Sequence, residues 1–200
     1  MSWPELDEAL QRPLPPDQPP RYYRLLFWAA GIFMVAFVVG GALLPETLDV
    51  QRTRVIAASP DKIYALLSEP ALWEKWAPWF QRNPFLDKKA TGNPSGNGAQ
   101  LAWQGNGHEG RLKVTSSMPV SAVRIKADLA EQGEVDLYMN LKPVPGGTEV
   151  TWGLRSEFGR NYGRRYHGLL MRSTVATEVE AGLTALDDYL AQNPRPVPGT

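Results

Sequence analysis

From Leu25 to Leu44 the chain reads LLFWAAGIFMVAFVVGGALL, twenty residues with no charge and apolar side chains on every helical face. As a helix this run rises roughly 30 Å, the thickness of a bilayer's hydrocarbon core, so the pattern predicts a transmembrane helix over 25–44. Pro45 closes it. The pattern then changes period. Val50–Ala57 (VQRTRVIA) alternates and is rich in β-branched residues, which predicts a strand. Ser59-Pro60-Asp61 supplies an N-cap and a first-turn proline for a helix through Ile63, Leu66 and Leu67 that stops near Pro70. A second short helix is expected over 71–76, with Trp73 and Trp76 on one face, ended by Pro78-Trp79-Phe80.

A short extended piece near Phe85 and a Gly/Asn-rich loop over 91–98 lead into a series of alternating segments. Strands are predicted over 99–103, 109–116, 122–129, about 135–141 and 148–156. Gly105-Asn106-Gly107, Pro119, Gln132-Gly133 and Pro145-Gly146-Gly147 punctuate them. In each strand one face is apolar (Val123, Ile125 and Ala127; Val135, Leu137, Met139 and Leu141; Val150, Trp152 and Leu154) and the other polar, as hairpin-linked antiparallel strands require. A long helix from about Arg164 to Ala191 follows. Its apolar stripe is Val175, Val179, Gly182, Leu183, Leu186 and Leu190, while Glu178, Glu180, Asp187 and Asp188 are assigned to solvent. That stripe must bury against the apolar face of the sheet. The fold class is therefore α+β: a curved antiparallel sheet wrapped around a long C-terminal helix, preceded by one transmembrane helix. The two short helices would plug one end and leave an apolar gap between sheet and helix.

Residues 55–64 (VIAASPDKIY) and 72–79 (LWEKWAPW), together with Gly98, Trp103, Gly110 and 147–152 (GTEVTW), resemble the START-like, helix-grip (SRPBCC) superfamily in its polyketide cyclase/dehydrase and lipid-transport branch. The resemblance covers residues from about 49 to 191 and includes members carried on a single N-terminal membrane helix. It implies a helix-grip fold that encloses a hydrophobic ligand.

Organisation follows: a Pro-rich disordered tail over 1–24, the membrane helix over 25–44, the START-like domain over 49–191 and a flexible Pro-rich tail over 192–200. The leader is too long, and too mixed in charge, for a signal peptide, and no small-x-small cleavage site lies outside the apolar run, so an uncleaved anchor is expected. Arg21 and Arg24 abut one end of the run, whereas Glu46 and Asp49 precede Arg52 at the other. That asymmetry places the N-terminus in the cytoplasm and the domain outside it, in the periplasm if the source is bacterial.

Composition narrows the chemistry. Lys and Arg total 21 and Asp and Glu total 21, a balance that argues against nucleic acid as partner. The absence of Cys excludes disulfides, thiol catalysis and Cys-ligated metals. His108 and His167 carry no ligand spacing, and neither a nucleophile elbow nor a phosphate loop occurs, so no catalytic residue, metal or cofactor is assigned. Trp73, Trp76 and Trp79 are read first as packing for the short helices and second as the rim of a pocket. The cavity wall is assigned to Trp103, Leu112, Ile125, Met139, Trp152, Met171 and Val175. Arg160, Arg164 and Arg165 with Tyr162 and Tyr166 form a basic-aromatic cluster, read as a solvated start of the long helix with anionic head groups as the alternative.

The first functional reading is a non-enzymatic, membrane-tethered module that binds a lipid or other hydrophobic molecule. The alternatives are a cyclase- or dehydratase-type enzyme, which needs an acid/base group in the cavity, and a structural domain whose cavity is filled by its own side chains. The sequence leaves the ligand and the oligomeric state open.

Overall fold

Alternation of buried and exposed side chains along the strands builds one seven-stranded antiparallel sheet. The computed structural model describes residues 21–129 and 133–193. Residues 1–20 of the expected tail over 1–24, the turn residue Gln132 and the segment 194–200 lie outside the described residues. The described chain divides into two compact units at Gly40/Gly41.

The apolar helix is α1, Arg21–Leu43. It starts four residues before the apolar run, because Arg21 to Arg24 continue the helix rather than belonging to a tail. Among the described residues it is the one helix long and apolar enough to cross a membrane, over Tyr22–Leu43.

The second unit runs β1 (Thr47–Ile56), α2 (Pro60–Ser68), a 3-10 helix (Pro70–Lys75), α3 (Pro78–Arg82), β2 (Asp87–Gly92), β3 (Ala99–Gly105), β4 (His108–Met118), β5 (Ala122–Leu129), β6 (Gly133–Val144), β7 (Gly147–Glu157) and α4 (Tyr162–Gln192). The sheet order is β1-β7-β6-β5-β4-β3-β2, so every neighbour except β1–β7 is a hairpin. The register is continuous along each pair except at Val114/Ser116 on β4, where a bulge bends the sheet.

Four details differ from the sequence reading. Pro78 does not stop a helix; as the first residue of α3 it starts one, its missing N–H falling where no intrahelical partner exists. Residues 70–75 form a 3-10 helix instead of an α-helix. Ser59 occupies the N-cap of α2 in extended conformation but caps with no side-chain hydrogen bond. At the other end of the chain Gln192 belongs to α4, so the helix takes one residue of the expected tail.

The core is a single cluster. Val179, Leu183, Leu186 and Leu190 of α4 and Ile63, Leu66 and Leu67 of α2 join Val114, Val123, Ile125, Met139 and Val150 of the sheet. The long helix packs mainly on β1 and also meets β7, and α2 covers β5 and β6. Glu178, Glu180 and Asp188 are exposed on α4, as assigned, and Asp187 is half-buried. Arg54 of β1 reaches Asp187 (3.4 Å) and Glu180 (3.8 Å), and Arg82 of α3 reaches Glu178 (2.6 Å).

At the start of the second unit, the chain over 41–46 is held by a buried guanidinium. Arg165, 5% exposed, donates from Nη1 to the Gly41 and Leu44 carbonyls (3.2 Å each), from Nε to the Gly159 carbonyl (2.8 Å) and from Nη2 to Glu46 Oε1 (2.7 Å). It thereby satisfies carbonyls that the end of a helix leaves without partners. This removes Arg165 from the solvated basic cluster expected of it.

Candidate functional site

Because α4 lies over β1 and β7 and not over β3 to β5, the concave face of the sheet is left with a cavity of about 870 Å³. Its sheet wall is made by Trp103 (β3), Leu112 (β4), Ala127 (β5), Val135 and Leu137 (β6) and Trp152 and Leu154 (β7). Val175, Val179 and Gly182 of α4 form the opposite wall. Trp73, Trp79 and Phe80 close one end.

These aromatics pack on one another. The Trp73 ring centroid lies 5.4 Å from Trp76 and 6.0 Å from Trp152, and Trp79 and Phe80 lie 5.1 and 5.3 Å from Trp103. Trp73 and Trp79 therefore do both jobs weighed for them: they hold the short helices and they line the cavity. Trp76 is fully buried and takes only the first.

Two glycines fix the indoles that form the wall. A Cβ at Gly182 would stand 2.4 Å from Trp152 Cζ3, and one at Gly110 would stand 2.4 Å from Trp103 Cζ2. Each indole thus lies against a bare backbone.

Four of the seven residues assigned to the wall lie on the cavity: Trp103, Leu112, Trp152 and Val175. Ile125 and Met139 point to the same face of the sheet but are sealed in the core, each 1% exposed and outside the lining. Alternation places a residue on a face and says nothing of how far along the strand the cavity reaches. Here α2 fills the space over β5 and β6. Met171 is on the cavity side of the α4 stripe but lies beyond the lining and is exposed.

The polar groups of the lining cluster at the rim: Arg82, Gln104, His108, Glu109 and Glu178. Arg82 and Glu178 are paired across it, joining α3 to α4. His108 stands 6.4 Å from the Trp79 ring, whereas His167 is exposed on α4 and does not line the cavity. Among the described residues no group of three His, Asp or Glu side chains is placed to hold a metal.

The tryptophans of the wall do not present their N–H groups to the cavity space. The indole N–H of Trp103 and that of Trp152 are buried and donate to no acceptor, as is that of Trp76 behind them. Trp73, by contrast, donates to the Leu67 carbonyl (3.3 Å). A buried donor without an acceptor costs about 1–3 kcal/mol.

Residues 47–191 match the family described as polyketide cyclase/dehydrase and lipid transport. The chain belongs to this family. Its fold recurs in solved structures at low identity. A Rhodobacter sphaeroides protein is 23% identical, with 73% of this chain and 93% of that one covered and a TM-score of 0.53. A Staphylococcus aureus protein of unknown function is 12% identical, with 74% and 96% covered and a TM-score of 0.57. DynU16, from the dynemicin biosynthetic locus, is 16% identical, with 74% of this chain and 49% of that one covered and a TM-score of 0.52. At these identities the likeness is one of fold. Among curated proteins none matches this sequence. Family and fold together make the second unit a hydrophobic-ligand-binding type of domain.

Proposed function

We propose that this protein is a membrane-tethered carrier or receptor for a lipid or other hydrophobic small molecule, held one per chain in the cavity between the sheet and α4. The observation that carries the reading is a cavity of about 870 Å³ between the sheet and α4 whose wall is mainly aromatic and aliphatic. Burying a ligand's apolar surface there contributes about 25 cal/mol per Å². The occupant this favours is largely apolar, with any polar group held at the exposed Arg82, Gln104, His108 and Glu109.

In this reading α1 spans the bilayer, its N-terminal end on the cytoplasmic side, and keeps the domain beside a membrane that stores such molecules. A reporter fused after Thr200 tests the orientation: activity confined to the cytoplasm contradicts it.

The binding reading is tested with 9,10-dibromostearate, whose bromines quench tryptophan on contact. In a chain with Trp3 and Trp28 replaced by Phe, the five remaining indoles all belong to the cavity cluster. Saturable quenching at one equivalent, competed by unbrominated stearate, is expected. Quenching that rises linearly with added fatty acid, with no saturation, refutes the binding site.

A further inference from the structure

The first half of α4 has the wrong surface for a solvated helix. From Leu169 to Thr174 six successive residues are exposed, and they include Leu169 (55%), Leu170 (71%) and Met171 (38%). From Phe158 to Thr177 the sequence contains Arg160, Arg164, Arg165 and Arg172 and no Asp or Glu. Arg165 is spent on the buried cap; Arg160, two residues before α4 begins, and Arg172, within it, are exposed. Exposed leucine and methionine beside arginine, with two tyrosines behind them, is the composition of a helix that lies in a membrane interface.

The location agrees. A Cβ at Gly41 would stand 2.7 Å from Tyr162 Cβ, so α4 begins against the backbone of the last turn before Leu44. Leu170 and Met171 follow eight and nine residues later, roughly 12–14 Å along the helix. They also stand one turn ahead of Thr174 and Val175, which line the cavity. The stripe that forms the cavity wall therefore continues outward, exposed, towards the end of α4 that abuts Gly41.

We propose that the first half of α4 is a docking face for an anionic bilayer surface, with Leu169, Leu170 and Met171 in the interface and Arg160 and Arg172 on lipid phosphates. This rests on the reading of α1 as a membrane span. Its consequence is that the cavity opens beside lipid, and a hydrophobic molecule loads without crossing water.

The chain has no Cys, so single labels are clean. The full chain is reconstituted in phosphatidylcholine/phosphatidylglycerol vesicles containing 6,7-dibromo-phosphatidylcholine, with bimane on one of four sites: Val35→Cys, Leu170→Cys, Met171→Cys or Lys142→Cys. Lys142 is exposed at the far end of the sheet, paired in register with Glu149, whereas Thr47 and Glu157 mark the end nearest Gly41. Quenching at 170 and 171 at least threefold stronger than at 142 is expected, falling to the level of 142 when Arg160 and Arg172 are both changed to Glu. Equal quenching at 170, 171 and 142 overturns the docking face. Quenching that survives the charge reversal overturns its anionic preference. Labels at 170 and 171 that are shielded from water without lipid quenching, and become exposed on diluting the protein, assign the face to a second copy and also overturn it. Position 35 separates the two readings. Quenching at 35 alone sinks only the docking face; quenching at 170 and 171 but not at 35 sinks the membrane span.

Discussion

Gly182→Ala adds one methyl group at the point where α4 meets the cavity wall, and its sign is decided by distances. The new Cβ would lie 2.4, 2.8 and 3.3 Å from Cζ3, Cη2 and Cε3 of Trp152. Carbon atoms in contact settle at about 3.5–4.0 Å, so the indole must retreat by about 1 Å or the helix must lift. Trp152 has little room, because Trp73 and Trp76 stand against it with centroids at 6.0 and 5.8 Å. The remaining open direction is the cavity. Overpacking of this kind costs about 1–3 kcal/mol. Replacing a mid-helix glycine with alanine returns about 1 kcal/mol through helix propensity. The net expectation is a loss of up to about 2 kcal/mol, accompanied by a cavity narrowed at Trp152 and at least fivefold weaker dibromostearate binding. Urea denaturation of the full chain in nanodiscs, followed by near-ultraviolet circular dichroism of the tryptophans, reads the stability. The quenching titration reads the binding. A variant more stable than the parent by about 1 kcal/mol, with unchanged binding, would show that only propensity was felt. The placement of Trp152 against α4 would then be refuted.

Other expectations follow from the same contacts. Arg165→Ala should destabilise the chain by about 2–4 kcal/mol in thermal denaturation, mostly because the Gly41, Leu44 and Gly159 carbonyls lose their donor; Arg165→Lys, lacking the planar fork, should recover less than half of the loss. Arg82→Ala removes an exposed pair at the rim, so stability should change by less than about 1 kcal/mol. Dibromostearate release, followed by stopped flow, should nevertheless accelerate severalfold; an unchanged rate contradicts a latch across the rim. Burial, with help from Asp49, holds the Tyr138 phenol above its ordinary value of 10.0. The folded state thus keeps the phenol proton more tightly than the unfolded chain does. That contribution is complete below pH 10 and is lost as pH rises through the folded value. Tyr138→Phe should flatten the decline of urea midpoint above pH 10, and an identical alkaline slope in both proteins contradicts the assignment.

The sheet was legible because its period-two pattern is strong and because its turns carry residues with few alternatives. Asn106 and Gly107 both take positive φ in the β3–β4 turn, as the Gly-Asn-Gly sequence suggests. The long helix was legible from its stripe. What escaped was what depends on neighbours. β2, with the sequence DKKATG, shows no apolar alternation and is an edge strand defined by its pairing with β3. Pro78 was ambiguous because proline marks both ends of helices. Arg165 resembled its neighbours Arg160 and Arg164 in the chain; only the fold turns it inward onto the carbonyls that follow α1. The cavity was legible in chemistry but not in extent. Trp103, Leu112, Trp152 and Val175 reach it, while Ile125 and Met139 share its face of the sheet but stand where α2 fills the space. Met171, assigned to the cavity wall, is exposed beyond it, because the cavity ends one turn later at Thr174 and Val175.

Native mass spectrometry of the full chain, released from nanodiscs formed directly from cell membranes, tests the central claim most directly when paired with a cavity-filling Val179→Trp variant. Val179 lines the cavity and is 4% exposed, so the added ring has the cavity as its space. The account predicts one largely apolar molecule retained per parent chain and none in the variant. An apo parent chain, or the same bound mass in both proteins, would contradict it.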